Sequence, residues 1–209
     1  MQTNGLDMEG WERRMANIID YLAWRGDILL SQVPLDEVDS LILSYLAYMP
    51  LDGIVPSQVT DGRTRLADAA RSLIERHRCE GIKLAYTVGD SDADDCVLLE
   101  ALANSARFAD IGLRGVVDHY DQEGQEQFSA VTFDLPDGSV FLGFRGTDST
   151  VVGWKEDFNM SHQDAIPSQK KAVQYAIQMM EQYDGKFYLG GHSKGGNLAA
   201  YAAMCCDEK

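Results

Sequence analysis

The sequence is short of positive charge. Of 209 residues, 18 are lysine or arginine against 33 aspartate or glutamate, a formal net charge of -15. Chains that bind nucleic acid or anionic membranes gather basic residues on one face, so neither partner is expected. No run approaches the ~20 consecutive apolar residues of a membrane-spanning helix, and no span is expected. Cysteine is scarce as well. Cys79, Cys96, Cys205 and Cys206 make neither a Cys-x-x-Cys pair nor a disulfide-scaffold spacing. Cys205 and Cys206 are neighbours on an expected helix, where they would point about 100° apart. Reduced structural thiols in a cytoplasmic protein are the expectation. Residues 1–10 lack a basic region followed by an apolar run, so no signal peptide is expected. Internal repeats and low-complexity linkers are missing too. The length suits one domain with a real core, and nothing calls for a metal or another cofactor.

What is present centres on Lys186-Phe-Tyr-Leu-Gly-Gly-His-Ser-Lys-Gly-Gly-Asn-Leu-Ala-Ala-Tyr201. Phe187 to Leu189 reads as a short buried strand, Gly191-His-Ser-Lys-Gly195 fits Gly-x-Ser-x-Gly, and the apolar, alanine-rich Leu198 to Met204 reads as a helix. Strand, motif and helix in that order make a nucleophile elbow. The turn under Ser193 is too sharp for ordinary side chains, so its flanks are glycine. The helix that follows aims its N-terminal N–H groups at the site, where a developing oxyanion needs them. The bland alternative is a glycine-rich strand-to-helix turn with no chemistry.

Upstream, the chain opens with helices. Trp11 to Trp24 carries Met15, Ile18, Ile19 and Leu22 at helical spacing, and Gly26 stops it. Arg25-Gly26-Asp27, a tripeptide that integrins read in extracellular proteins, is read here as a helix stop and turn. From Pro34 to Pro50, Val38, Leu41, Ile42, Tyr45 and Leu46 form an apolar stripe. Two more helices are expected over about Arg63 to His77 and Asp92 to Phe108. The pattern then changes. Leu113 to Tyr120, Gln127 to Leu135 and Ser139 to Phe144 read as strands joined by the short turns Asp121–Gly124 and Pro136–Gly138. Such turns make antiparallel neighbours. Asp148 to Ala165 reads as a loop and Ser168 to Tyr183 as a helix, so the strand through Phe144 and the elbow strand should be parallel. The expectation is an α/β fold in which a helical segment (residues 1–110) precedes a sheet-bearing core (residues 111–209).

The segment Phe144-Arg-Gly-Thr-Asp148 and the elbow together resemble the class 3 lipase branch of the α/β-hydrolases. More closely, the chain resembles an uncharacterised bacterial family, a domain of unknown function. That match rests on Tyr21–Asp27, Asp39–Tyr48, Phe144–Asp148, Gly153-Trp-Lys-Glu-Asp-Phe-Asn159 and Gly190–Ala199. The resemblance implies an α/β-hydrolase-like sheet, antiparallel at its start and parallel at the elbow. It also implies that Thr147, the residue after the loop glycine, supplies an oxyanion-hole N–H. Ser193 would be the nucleophile, and Lys194, the residue after it, would offer the second N–H. The substrate would be a small ester or lipid-like molecule.

Histidine is missing where that fold places it. The usual chain order is Ser, then Asp or Glu, then His. After Ser193 come only 16 residues, with Asp207 and Glu208 as acids and no histidine. His77, His119, His162 and His192 all precede the serine. His77 reads as a solvated helix-end residue, and His119 and His192 as structural. His162 is the single loop candidate for a base. The resembled family continues past this point, so the chain is expected to be incomplete at its C-terminus. The uncovered sheet edge would invite self-association. Two functions follow: a serine hydrolase of the lipase or esterase type, weak as given, or a non-catalytic hydrolase-like module that binds through the same crevice.

Overall fold

The first helices begin where short polar side chains can cap them. Asn17 accepts the backbone N–H groups of Ile19 and Asp20 at 3.0 and 3.1 Å, and Asp20 returns the bond to the Asn17 N–H. This capping box starts helix α1, Ile18–Arg25. The computed structural model describes residues 17–85 and 92–206. Residues 11–16 of the helix expected from Trp11 lie outside them, as do Asp207 and Glu208. Helix α2, Glu37–Leu46, repeats the device with Asp36 as cap and Asp39 as its reciprocal partner.

Val38 and Leu41, expected on the inner stripe of α2, are exposed. With Ile18, Tyr21 and Trp24 they line an apolar groove between α1 and α2. A buried ion pair sets the rotation of α2. Asp39 and Arg107 are both fully buried and joined by two hydrogen bonds, and Arg107 also donates to the carbonyls of Ile28, Val33 and Pro34. Asp39 therefore faces inward, and Ile42, Leu43 and Leu46 face inward with it.

Strand β1, Thr64–Arg65, precedes helix α3, Leu66–Glu80, so this helix begins later than its periodicity alone suggests. Helix α4 spans Asp92–Ala103. Strands β2 (Gly112–Asp121), β3 (Glu126–Asp134) and β4 (Val140–Phe144) form the expected antiparallel meander. Helices α5 (Val151–Asn159) and α6 (Pro167–Gln182) cross to β5, Phe187–Gly191, which runs parallel to β4. Helix α7, Lys194–Cys206, follows. Among the described residues the fold is thus mixed α/β, with seven α-helices and one sheet in the order β1-β2-β3-β4-β5.

The expected loop over 148–165 contains helix α5. Thr150 caps it by accepting the Gly153 N–H at 3.1 Å. Three of its larger apolar residues, Val151, Trp154 and Phe158, are exposed, while Val152, Gly153 and Glu156 are buried. An inverted pattern of that kind gives no amphipathic signal.

The period-two alternation of the strands sorts the core onto two faces. Phe128, Ala130, Val140, Leu142 and Phe144 pack against Ala172, Tyr175, Ala176 and Met179 of α6 and Leu198, Ala199 and Ala202 of α7. Val131, Phe133 and Phe141 share the other cluster with Ile42, Leu43, Leu66, Leu73, Leu98 and Leu102 of α2, α3 and α4. Helices on both faces bury β3 along its whole length. They bring the C-terminal ends of β4 and β5 to one rim, where the ladder stops at Phe144 opposite Gly191.

Candidate functional site

At that rim β5 ends in a single tight turn. Ser193 has φ +57°, the left-handed region, which costs a non-glycine residue about 1–2 kcal/mol. Such strain persists only where the surroundings over-determine it. Here they do. Gly195 N–H bonds the His192 carbonyl at 2.9 Å, and Gly196 N–H bonds the Ser193 carbonyl at 3.0 Å. The two motif glycines are packed so closely that a Cβ on Gly191 would lie 2.4 Å from the Gly195 carbonyl carbon, and one on Gly195 would lie 2.1 Å from the Phe144 carbonyl oxygen. Ser193 stands exposed on top of this turn.

The Arg145-Gly146-Thr147 loop leaves β4 beside it. Gly146 touches the elbow: a Cβ there would lie 2.4 Å from the His192 carbonyl oxygen and 2.2 Å from the Tyr48 hydroxyl. The structure therefore brings Thr147 and Ser193 to the same end of the sheet. Thr147 is half-buried and its hydroxyl donates to Asp157 of α5. Arg145, buried, grips the Asp118 carboxylate with both terminal nitrogens at 2.9 and 3.0 Å.

Behind the elbow lies a polar knot. The Lys194 ammonium, fully buried, donates to Glu156 at 2.7 Å and to the Gln127 carbonyl at 2.7 Å. The Glu156 carboxylate, equally buried, also accepts the backbone N–H groups of Gln127 and Ser168 and the Ser168 hydroxyl. Both charges are thus compensated by several hydrogen bonds, the condition under which buried ions are tolerated. This knot ties α7 at its first residue to β3, α5 and α6.

The histidines are distributed otherwise. His192 is exposed, with Nδ1 3.3 Å from the Tyr48 hydroxyl. His77 is half-buried rather than solvated, its Nδ1 2.7 Å from the Ile82 carbonyl, closing the end of α3. His119 lies on β2, with Nε2 3.9 Å from Glu126. His162 is exposed in the turn after α5. Among the described residues no histidine ring is hydrogen-bonded to the Ser193 hydroxyl. The two acids that follow Ser193, Asp207 and Glu208, lie outside those residues.

A family model described as Mbeg1-like matches residues 102–209, just over half of the sequence, including both the Thr147 loop and the elbow. The chain belongs to the Mbeg1-like family. No curated protein and no solved structure matches it.

In this Mbeg1-like chain, several residues at the site went unassigned in the sequence. Tyr48, Gln127, Glu156, Asp157 and Ser168 are brought there by tertiary pairing. The signal available for them was indirect: Tyr48, Glu156 and Asp157 fall inside the segments that carry the family resemblance. None of the five stands beside Ser193 or Thr147 in the chain.

Proposed function

We infer that this protein is a serine hydrolase of the lipase or esterase type, built on an α/β-hydrolase sheet of the class 3 lipase kind. Ser193 attacks the carbonyl carbon of an ester, forms an acyl-enzyme and releases the alcohol. The backbone N–H groups of Thr147 and Lys194 receive the oxyanion. The observation that carries the reading is the left-handed Ser193 on a strand–turn–helix with the Gly146–Thr147 loop against it. A strained, exposed serine of this kind is an outlier that a plain glycine-rich turn does not require. The substrate is a small ester or lipid-like molecule. The free thiols of all four cysteines are in keeping with the cytoplasm. In the same reading β5, whose only strand partner among the described residues is β4, is the edge through which two copies would associate.

The test is covalent labelling by a fluorophosphonate, with the modified peptide identified by mass spectrometry and Ser193→Ala as control. Labelling at Ser193 supports the hydrolase. Its absence favours the second reading, a hydrolase-like module that binds through the same crevice without turnover. The absence of a histidine on the Ser193 hydroxyl among the described residues favours that alternative.

A further inference from the structure

The ladder between β4 and β5 ends at Phe144 and Gly191. Beyond that pair the two chains part. One runs through Arg145, Gly146 and Thr147 towards α5, the other through His192, Ser193 and Lys194 into α7. The two oxyanion donors of the proposed hydrolase sit on these diverging segments, so their separation is not set by the ladder. One side chain lies at the fork. Tyr48, just past the end of α2, is 1% exposed. Its hydroxyl is 3.3 Å from the His192 carbonyl oxygen and 3.3 Å from His192 Nδ1. The same hydroxyl packs against the loop backbone, only 2.2 Å from where a Cβ on Gly146 would be.

A buried hydroxyl has to find partners. It has one proton to donate and two lone pairs to receive with. At the fork it meets an acceptor on the elbow, the His192 carbonyl, and packs on the backbone of the loop at Gly146. The approach of α2 that delivers it is also built in. A Cβ on Gly190 of β5 would meet the Phe141 ring at 2.4 Å and Ser44 Oγ at 3.1 Å, and one on Gly143 of β4 would meet the Phe133 ring at 3.0 Å and Ala47 at 3.6 Å, so both glycines make room for the sheet's own rings as well as for the approach of α2.

We propose that Tyr48 is a positioning residue of this site: its hydroxyl clips the Gly146 loop to the His192 carbonyl and so fixes the spacing of the Thr147 and Lys194 N–H groups. The role rests on the serine-hydrolase reading for its catalytic meaning, though the clip itself does not. It assigns α2, an element far from the elbow in sequence, a part in the geometry of the oxyanion hole.

The test is Tyr48→Phe in the full chain, which keeps the ring and removes the clip. Two quantities are read. The first is amide hydrogen exchange at Gly146 and Thr147 by NMR, expected to rise about tenfold, as for the loss of one hydrogen bond, with α6 and β3 unchanged. The second is fluorophosphonate inactivation at Ser193, expected to show a maximal rate lowered about tenfold with unchanged reversible affinity for the probe. Unchanged exchange at Gly146 and Thr147 overturns the clip. Exchange that rises throughout the fold, or a Tyr48→Phe chain that does not fold, makes Tyr48 a general core residue and overturns it as well. If the unaltered protein is not labelled at Ser193, the hydrolase reading fails while the exchange experiment still decides the clip.

Discussion

Lys194 and Glu156 form an ion pair at 2.7 Å with both side chains wholly out of solvent. Lys194 follows the exposed Ser193 directly, so one residue of the elbow reaches solvent while the next is anchored in the core. The anchor includes the Gln127 carbonyl and, through Glu156, the N-terminal turn of α6. Elbow strain can be held because its next residue is held.

Breaking this pair from one side leaves a buried charge without its partner, which costs about 3–5 kcal/mol. Glu156→Gln and Lys194→Met should each lose that much in urea unfolding. The double variant should lose clearly less than the sum of the two, because residues in one network couple. Strict additivity would show that the two groups do not depend on each other.

Gly195→Ala tests the close packing at the elbow. The added Cβ would stand 2.1 Å from the Phe144 carbonyl oxygen, a backbone atom that cannot swing aside. Overpacking of this kind should lower the melting temperature by about 5–10 °C. Gly196→Ala is the comparison. Its nearest contact, the Gly191 carbonyl oxygen at 3.0 Å, needs only a small adjustment, and its effect in calorimetry should be much smaller.

How far the sequence carried depended on the range of the interaction. The meander and the parallel step to β5 were readable because Gln127–Leu135 and Ser139–Phe144 are apolar runs between plain turn residues, and a helix separates β4 from β5. The elbow was readable because its glycines and serine are consecutive. Helix α5 was not, since most of its apolar residues point to solvent and its buried face holds a glycine and a glutamate beside Val152. The orientation of α2 escapes its periodicity for a related reason. Asp39 is drawn inward by Arg107, a partner 68 residues away, at the expense of Val38 and Leu41. Lys194 and Glu156, 38 residues apart, each look like a solvated charge until the fold places them together. Tyr48 and His192 are 144 residues apart. Periodicity reports which face of an element is apolar; it does not report which distant polar group will meet it.

A pH experiment addresses α2. Burial alone would raise the Asp36 carboxyl, but the N–H groups of Asp39 and Val38, the Tyr21 hydroxyl and the Arg107 charge outweigh it and hold the carboxyl below its ordinary value. A carboxyl with a depressed folded pKa adds stability that is present above the unfolded value of about 3.9 and is lost as pH falls through the folded value. Asparagine caps helices as well as aspartate does, so Asp36→Asn isolates the charge. The stability gap between the two proteins should hold from pH 7 down to about 4 and close below it. A gap that is constant down to pH 2 would assign the effect to shape instead of charge.

The last prediction concerns the strain at Ser193. Alanine at this position removes the hydroxyl but keeps a Cβ in the left-handed conformation, whereas glycine removes both. Ser193→Ala should therefore have nearly the stability of the parent, and Ser193→Gly should be more stable than Ser193→Ala by about 1 kcal/mol, once the greater freedom of glycine in the unfolded chain is set against the relieved strain of about 1–2 kcal/mol. Neither variant should react with a fluorophosphonate at the elbow. The measurement is urea unfolding of all three proteins, with the slope of each transition compared so that a change in the denatured state is not mistaken for native stability. A gain in stability on losing the hydroxyl-bearing carbon is what a site held in tension for chemistry should show. If Ser193→Gly is instead the least stable of the three, the left-handed turn is not strained, and the main observation behind the hydrolase reading loses its force.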